Sequence, residues 1–304
     1  MTLVVVGSVA FDSIITPTGR ADDALGGSAV HFALASAFQG PVKLVGVVGN
    51  DFPDDRRDLL ASRSIELEGL ETVADGKTFR WEGKYHDDMN SRETLSVELN
   101  VFEHFEPKLP KSYRETEFLF LANGAPMTQA SVLDQVAGRP FVMADTMDLW
   151  IQTAHSELED LLRRIDGLVL NDEEAALLSG IDNTVEAGRM IQRRYELRYV
   201  VLKKGEHGCL IFHDGPDIAL PAVPVSQVTD PTGAGDSFAG GLMSYLARQG
   251  NVDIDTMKCA VAWGTVMASY CCEDFGVNRM LELRLEEAED RYHHFRSMLT
   301  LTTT

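Results

Sequence analysis

The sequence contains little cysteine and no long apolar run. Its four cysteines, at positions 209, 259, 271 and 272, have no CxxC spacing, and the adjacent pair is unsuited to a structural disulfide. We therefore expect reduced thiols and a cytoplasmic protein. No apolar run approaches the ~20 residues of a membrane span, and the first residues lack the basic region and the apolar length of a signal peptide. We expect no membrane partner.

Positive charge is also scarce. The sequence has 27 lysines and arginines against 47 aspartates and glutamates, which gives a net charge of −20. Because nucleic acids and anionic membranes are bound through positive surfaces, we expect neither as a partner. A local basic pocket for a phosphate is still compatible with this charge. The 304 residues, of which 44% are hydrophobic, suit one α/β domain spanning 1–304.

Several common site motifs are missing. There is no GxxxxGK[ST], which disfavours a P-loop, and no GxGxxG after the first apolar run, which disfavours a Rossmann dehydrogenase. The eight histidines show no HExxH or similar spacing, so we expect no structural zinc. Ser237 lies in GDSFA rather than GxSxG and is a poor candidate for a hydrolase nucleophile.

Most of the chain alternates between apolar runs and amphipathic stretches, which predicts a parallel sheet with helices on both faces. The predicted strands are 3–6, 42–48, 118–121, 141–144, 168–170, 199–202 and 208–212. The predicted helices are 54–63, 128–137, 155–165, 172–179, 184–195, 236–249, 255–271 and 285–298.

Residues 71–104 have a different pattern. Phe79, Trp81 and Tyr85 alternate with other residues, as do the apolar residues at 95, 97, 99 and 101, and a polar bend lies between the two sets. This pattern predicts a β-hairpin with one apolar face. We expect a small β-sheet lid formed by about 11–25 and 71–104, although an edge hairpin packed on the core would look the same. The apolar face also favours a homodimer through the lid.

The stretch Asp230-Pro231-Thr232-Gly233-Ala234-Gly235-Asp236 carries the clearest chemistry. Its two glycines allow the backbone to approach a ligand closely, and an apolar face from Phe238 onward predicts a helix. The free amides of a helix start, reached through a glycine loop, form an anion site. Asp236 either caps this helix or accepts a proton from a nucleophile beside a phosphoryl group. A carboxylate at a helix start is expected to be stabilised in its charged form.

This stretch resembles the second signature of the ribokinase-like (PfkB) carbohydrate kinase family. The resemblance implies a ribokinase-like three-layer sandwich with a mostly parallel sheet and a β lid. It also implies that Gly233, Ala234 and Gly235 form an anion hole and that Asp236 is the catalytic base. Gly26 and Gly27, which precede a helix, resemble the first signature, although His31 stands where the family has asparagine.

The substrate side of the implied site is formed by Asp12, Gly26, Gly27 and His31. Asp12 follows the first predicted strand, where α/β proteins place ligand contacts, but an aspartate there also caps turns. His31 is expected to hold a substrate hydroxyl, or else to be an ordinary core histidine.

The nucleotide side is implied by three further matches. Asn171 and Glu174 match the family's Asn-x-x-Glu, which implies that Glu174 acts on Mg²⁺ through water. Lys203, Gly205 and Gly208 match its Thr-x-Gly-x-x-Gly, with lysine in place of threonine. The remaining positions expected to bind the nucleotide are Thr232, Gly276 and Asn278, and K⁺ is a further candidate ligand near the last two. Only Asp145 matches the family's Asp-x-Asn-x-Arg.

We therefore expect a kinase that transfers the γ-phosphate of ATP to a hydroxymethyl group of a sugar or nucleoside. One alternative is a non-catalytic sensor of sugars or nucleotides on the same fold. The other is a vitamin-precursor kinase of the same superfamily, which usually has no β lid.

Overall fold

The computed structural model describes residues 1–300, in which strands and helices alternate. The strands are β1 Leu3–Val6, β2 Ala10–Thr16, β3 Gly19–Gly26, β4 Val42–Gly49, β5 Ile65–Val73, β6 Phe79–Tyr85, β7 Arg92–Glu98, β8 Phe118–Leu121, β9 Phe141–Asp145, β10 Gly167–Asn171, β11 Tyr199–Lys203, β12 Cys209–Phe212 and β13 Ile218–Leu220. The helices are α1 Ser28–Ser36, α2 Asp54–Ser62, α3 Pro126–Leu133, α4 Asp148–Thr153, α5 His155–Leu162, α6 Asp172–Ser179, α7 Thr184–Arg194, α8 Ala234–Gln249, α9 Ile254–Cys271, α10 Asn278–Glu282 and α11 Leu285–Leu299.

Nine strands form one large sheet in the order β13-β12-β11-β10-β9-β8-β1-β4-β5. The seven strands from β11 to β5 are parallel, and β12 and β13 are added antiparallel at one edge. The predicted mixed α/β fold with a mostly parallel sheet is confirmed. Because the strands run the same way, their carboxyl ends lie along one edge, where open α/β sheets bind ligands.

Helices cover both faces of the large sheet. Val4 and Val6 face one hydrophobic core and Leu3 and Val5 the other, as expected for alternating side chains in a fully buried strand. Helices α3 to α7 supply the first core, while α1, α2, α8, α9, α10 and α11 supply the second. The result is three layers, in which α1 and α8 pack side by side at the centre of one face.

A separate four-stranded sheet has the order β3-β2-β6-β7. The β6–β7 hairpin exists as predicted, but β7 ends at Glu98, so positions 99 and 101 lie outside it. The chain instead forms a 3₁₀ turn over Asn100–His104, in which Phe102 stacks on Phe79 with ring centroids 5.4 Å apart. Residues 71–73 of the segment expected in the lid end β5, in the large sheet.

Two predicted elements differ in detail. Helix α3 begins at Pro126, before the predicted start at 128, because proline is favoured in the first turn of a helix. The strand after Gly208 is antiparallel to its neighbour, since the short 3₁₀ turn Gly205–His207 reverses the chain without a crossover helix. Within residues 1–300, no helix combines the length and apolar character needed to cross a bilayer.

Candidate active site

Four chain segments bring polar side chains to the carboxyl edge of the large sheet. Asp145 ends β9, Asn171 ends β10 and Lys203 ends β11, and these three strands are neighbours. The N-terminus of α8 meets the same edge and brings Asp236 to Lys203 and Asp145.

The glycine loop before α8 leaves a helix start without a side-chain cap. Gly233 occupies the N-cap position with φ 76°, a left-handed conformation that favours glycine. No side chain caps this terminus, and the Ala234 amide donates to the Pro231 carbonyl at 3.1 Å. The first-turn amides of Gly235 and Asp236 are therefore the better placed for an anion.

Side chains pack closely against two glycines of this loop. A β-carbon on Gly233 would lie 2.2 Å from His31 Nδ1, and one on Gly235 would lie 2.9 Å from Lys203 Nζ. The second distance shows that the lysine ammonium lies directly against the loop. A cation and uncapped helix amides thus meet at one point, as a phosphate site requires.

Asp236 is the third residue of α8, not its cap, and its carboxylate bonds to no backbone amide of the helix start. The expectation that the helix start holds it in the charged form is not met. Burial, with a smaller contribution from the nearby Asp145 and a partial offset by Lys203, raises the pKa of Asp236 to about 8. Desolvation and like charge therefore outweigh the helix amides. A carboxylate with a pKa this near neutrality is well matched to the role of a general base.

Lys203 is surrounded by carboxylates. Its Nζ lies 3.8 Å from Asp145 Oδ2, and Asp145 and Glu174 together raise the pKa of Lys203 although burial opposes its charge. Burial, and secondarily Asp145, raise the pKa of Glu174 to about 7. Burial likewise raises the pKa of Asp145. The lysine is therefore charged, while the acids around it bind protons more readily than usual.

Asn171 and Glu174 form a reciprocal cap at the start of α6. The Glu174 amide donates to Asn171 Oδ1 at 2.8 Å, and the Asn171 amide donates to Glu174 Oε2 at 2.8 Å. This capping box explains why the two residues stand three apart. It fixes the Glu174 carboxylate beside Lys203 and Asp145 and uses one of its two oxygens.

The residues predicted on the substrate side also come together. Gly27 has φ 93°, which favours glycine, and its amide donates to Asp12 Oδ2 at 3.3 Å. A β-carbon on Gly26 would lie 1.9 Å from the same oxygen, so any larger residue would displace the carboxylate. Burial raises the pKa of Asp12 to about 7. Two glycines before α1 thus allow a buried carboxylate to sit over the helix start.

His31 lies beneath the glycine loop and is only 1% exposed. Burial lowers the pKa of His31 to about 4, so the imidazole is neutral at physiological pH. Its Nδ1 lies 3.9 Å from the Cys271 sulfur, and its Nε2 has no hydrogen-bond partner within residues 1–300. A buried ring nitrogen without a partner is costly, which favours a ligand contact over a purely structural role.

A cleft of about 530 Å³ lies on the other side of the loop. The cleft is lined by Lys203, Gly205, Gly208, Ala234 and Gly235, by apolar side chains from the segment 221–228, and by Thr265, Ala268 and Ser269 of α9. Its position beside the α8 start and its mixed lining suit a nucleotide. Five of the positions expected to bind nucleotide or phosphate therefore share one cleft.

Gly276 and Asn278 lie apart from this cleft. The Gly276 amide donates to Asp230 Oδ2 at 2.8 Å, and Gly276 packs beside Ala24 of β3. Asp230 is fully buried and also accepts from the Thr232 amide at 2.8 Å. The role expected for Gly276 and Asn278 at adenine gains no support from this position and stays a prediction.

The contacts of two further site residues differ from what the sequence predicts. Thr232 was expected at the nucleotide, but its hydroxyl donates to the hydroxyl of Tyr85 at 3.2 Å, which connects the small sheet to the glycine loop. Asp145 was noted only as a partial motif match, yet it lies at the centre of the charge cluster. Its place directly after a buried strand, like that of Asn171 and Lys203, is the signal that could have identified it.

Comparison with known proteins places the chain among kinases. A family model described as pfkB family carbohydrate kinase matches residues 2–282. The cytidine kinase of Thermococcus kodakarensis is 30% identical over 256 residues, which are 82% of this chain and 89% of that protein. The nucleoside kinase of Methanothermobacter thermautotrophicus is 26% identical over 291 residues, 90% of each chain.

Solved structures show the same fold. The nucleoside kinase of Burkholderia thailandensis in complex with inosine has a TM-score of 0.81 at 21% identity, with 97% of this chain and 99% of that chain covered. The nucleoside kinase of Methanocaldococcus jannaschii has a TM-score of 0.76, also at 21% identity, with the same coverage.

Proposed function

The chain belongs to the pfkB family of carbohydrate kinases, and we propose that it phosphorylates a ribonucleoside, with cytidine as the first candidate and ATP as the phosphate donor. Its activity is that of a phosphotransferase with an alcohol acceptor. The observation that carries the proposal is the position of Asp236. This carboxylate lies at an uncapped helix start, in contact with the charge cluster around Lys203 and within electrostatic reach of Asp12.

In the proposed reaction, Asp12 and the Gly27 backbone bind the sugar hydroxyls, and His31 offers its free Nε2. The carboxylate of Asp236 takes the proton of the attacking hydroxyl. The amides of Gly235 and Asp236, with the ammonium of Lys203, stabilise the charge on the phosphoryl group.

A nucleobase has one free aromatic partner in the small sheet. Phe79 stacks on Phe102 and Tyr85 bonds to Thr232, whereas the ring of Trp81 lies across Gly83 and is half-buried. Trp81 is the register partner of Asp12 in β2, so both side chains are on the same face of the sheet. The base of a nucleoside whose sugar is bound by Asp12 would therefore lie toward Trp81, whereas a free sugar would make no contact with that ring.

The acids near Lys203 fit a magnesium ion. Among the described residues, no group of three or more histidine, cysteine, aspartate or glutamate side chains is arranged to hold a metal. Asp145 and Glu174 are nevertheless buried carboxylates of raised pKa, which a nearby cation would stabilise. This donor set suits Mg²⁺ held mainly by water and nucleotide phosphates, through Glu174. When bound, the ion neutralises charge on the β- and γ-phosphates.

We also propose a K⁺ site near Asp230 and a homodimer through the small sheet. Burial raises the pKa of Asp230, which belongs to the loop 229–232 and accepts a hydrogen bond from the Gly276 amide of the loop 272–276, so a cation beside it would be favourable. Leu95 and Val97 on β7, and Leu99 just after it, are 40–50% exposed. Equal activity in K⁺ and in Na⁺ would contradict the proposed K⁺ site. A protein that is monomeric at the assay concentration would contradict the proposed homodimer.

The four cysteines are free in the structure, which supports the proposed cytoplasmic location. The small sheet is proposed to act as a lid that excludes water from the phosphoryl group.

The test is product formation from ATP with a panel of ribonucleosides, pentoses, hexoses and a hydroxymethyl-pyrimidine. We expect phosphorylation of ribonucleosides, with the highest kcat/KM for cytidine. Binding of a panel member without product would favour the sensor, and turnover of only the pyrimidine would favour the vitamin-precursor kinase. Turnover of free sugars alone would remove the nucleoside assignment.

A further inference from the structure

A buried thiol connects three segments beside the substrate side of the site. Cys271 is the last residue of α9 and is fully buried. Its Sγ lies 3.3 Å from the carbonyl oxygen of Thr232, in the glycine loop, and 3.9 Å from Nδ1 of His31, in α1. One sulfur atom therefore contacts both the loop that precedes α8 and the only ring nitrogen of His31 that has a partner within residues 1–300.

The contacts of Cys271 determine which nitrogen of His31 carries the proton. The thiol has one proton, and a carbonyl oxygen can only accept, so Cys271 donates to Thr232. The sulfur can then only accept from His31, which requires a proton on Nδ1. Burial lowers the pKa of His31 to about 4, so the ring is neutral and carries a single proton. Nε2 is therefore an unprotonated nitrogen that can only accept a hydrogen bond.

This unprotonated Nε2 lies toward the substrate side. His31 follows Gly27 by four residues, and helical side chains lean toward the N-terminus of their helix, so the ring leans toward Gly27 and the carboxylate of Asp12 that Gly27 binds. A β-carbon on Gly233 would lie nearest to Nδ1, Cγ and Cε1 of the ring, which leaves Nε2 on the edge turned away from the glycine loop. A buried acceptor without a partner is unfavourable until a ligand donates to it.

We propose that Cys271 is a positioning residue, which fixes His31 as the tautomer protonated on Nδ1 and so makes Nε2 the acceptor of a hydrogen bond from a sugar hydroxyl of the nucleoside. This inference rests on the proposed kinase function. The carboxylate of Asp12, when charged, also only accepts hydrogen bonds. Both side chains near Gly27 thus require a ligand that donates, and two adjacent hydroxyls of a ribose supply the two donors.

Nitrogen NMR of the histidine side chains measures the tautomer directly, and His31→Ala identifies the signals of His31. The wild-type protein should show a protonated Nδ1 and an unprotonated Nε2. In Cys271→Ala, no sulfur accepts from Nδ1, so the proton should shift toward Nε2. Cys271→Ser keeps a group that both donates and accepts and should retain the wild-type tautomer. The matched control is Cys259→Ala, which removes a partly buried thiol earlier in α9 and should leave the tautomer unchanged.

The dissociation constant for cytidine, measured without ATP, tests the consequence for binding. We expect Cys271→Ala to weaken cytidine about tenfold, the effect of about one hydrogen bond. The affinity for ATP should stay at the value of the Cys259→Ala control, and Cys271→Ser should restore most of the affinity for cytidine. In a His31→Ala background, Cys271→Ala should add little, because the nitrogen that it positions is already absent.

A wild-type protein with the proton on Nε2 would overturn the proposal, and this measurement needs no variant at Cys271. Equal weakening of cytidine by Cys271→Ala in the presence and in the absence of His31 would also overturn it, because the thiol would then act on packing alone. A wild-type protein that neither binds nor phosphorylates a ribonucleoside would instead overturn the proposed function. The tautomers of the wild type and of Cys271→Ala would still decide whether Cys271 positions His31.

Discussion

The charge cluster makes an unusual prediction about the pH dependence of activity. Asp236 must be deprotonated to accept a proton, so kcat/KM should rise as the pH increases through its pKa, which is about 8 in the free protein. Asp145 raises this pKa and Lys203 lowers it. Removing the two neighbours should therefore move the acid limb of the profile in opposite directions.

The size of each shift follows from the charges. A charge within ~4–6 Å moves a pKa by about 1–3 units, but Lys203 Nζ and Asp145 Oδ2 are only 3.8 Å apart and partly cancel at Asp236. We therefore expect shifts near the lower end, about one unit each, or ~1.4 kcal/mol in the balance between the protonation states. Lys203→Met should move the acid limb to higher pH, and Asp145→Asn should move it to lower pH.

The assay is kcat/KM for the acceptor between about pH 5 and 10, since this ratio reports the free enzyme. The comparison uses the pH at which the acid limb lies and not the maximal kcat/KM, because both variants also lose activity. The limb belongs to the coupled site, so it is read as an apparent value. Asp255→Asn, in an exposed first-turn position of α9, is the control and should leave the limb unchanged. Shifts in the same direction, or no shift in either variant, would refute the reasoning.

Two further predictions concern the substrate side. His31→Ala should raise the acceptor KM while the ATP KM stays near normal, because it removes the Nε2 that has no partner in residues 1–300. A change confined to the melting temperature would show that His31 has only a structural role. Gly26→Ala should raise the acceptor KM about tenfold or more, since its β-carbon would meet Asp12 Oδ2 at 1.9 Å. An unchanged acceptor KM for Gly26→Ala would contradict the role of Asp12.

Periodicity predicted the large sheet well because its strands are buried on both faces. The runs at 3–6, 118–121 and 199–202 read as continuous apolar segments, and the structure has strands there. The ends of the strands in the small sheet were harder to predict. The apolar alternation continues past Glu98, yet stacking of Phe102 on Phe79 and Phe105 turns the chain into a 3₁₀ segment. Here the tertiary packing of aromatic rings outweighs a local β pattern. A short window of sequence cannot reveal this packing, because the rings come from separate parts of the chain.

The sequence predicted those site positions at which the backbone conformation requires a particular residue. Gly27 and Gly233 stand out because a left-handed φ and close neighbours exclude other residues. The protonation of Asp236 was not predictable, because its raised pKa depends first on burial and then on Asp145 and Lys203, which are distant in sequence.

The central claim is that Asp236 accepts the proton of the attacking hydroxyl. Its most direct measurement is the kcat of Asp236→Asn with ATP and cytidine, beside Asp255→Asn as a first-turn control on another helix. The amide keeps the shape of the side chain but cannot take the proton, so we expect kcat to fall by ~10²–10⁴. ATP affinity and melting temperature should stay close to those of the control, since Asp236 caps no helix amide. An Asp236→Asn protein that turns over cytidine within a few-fold of the wild type would contradict the claim.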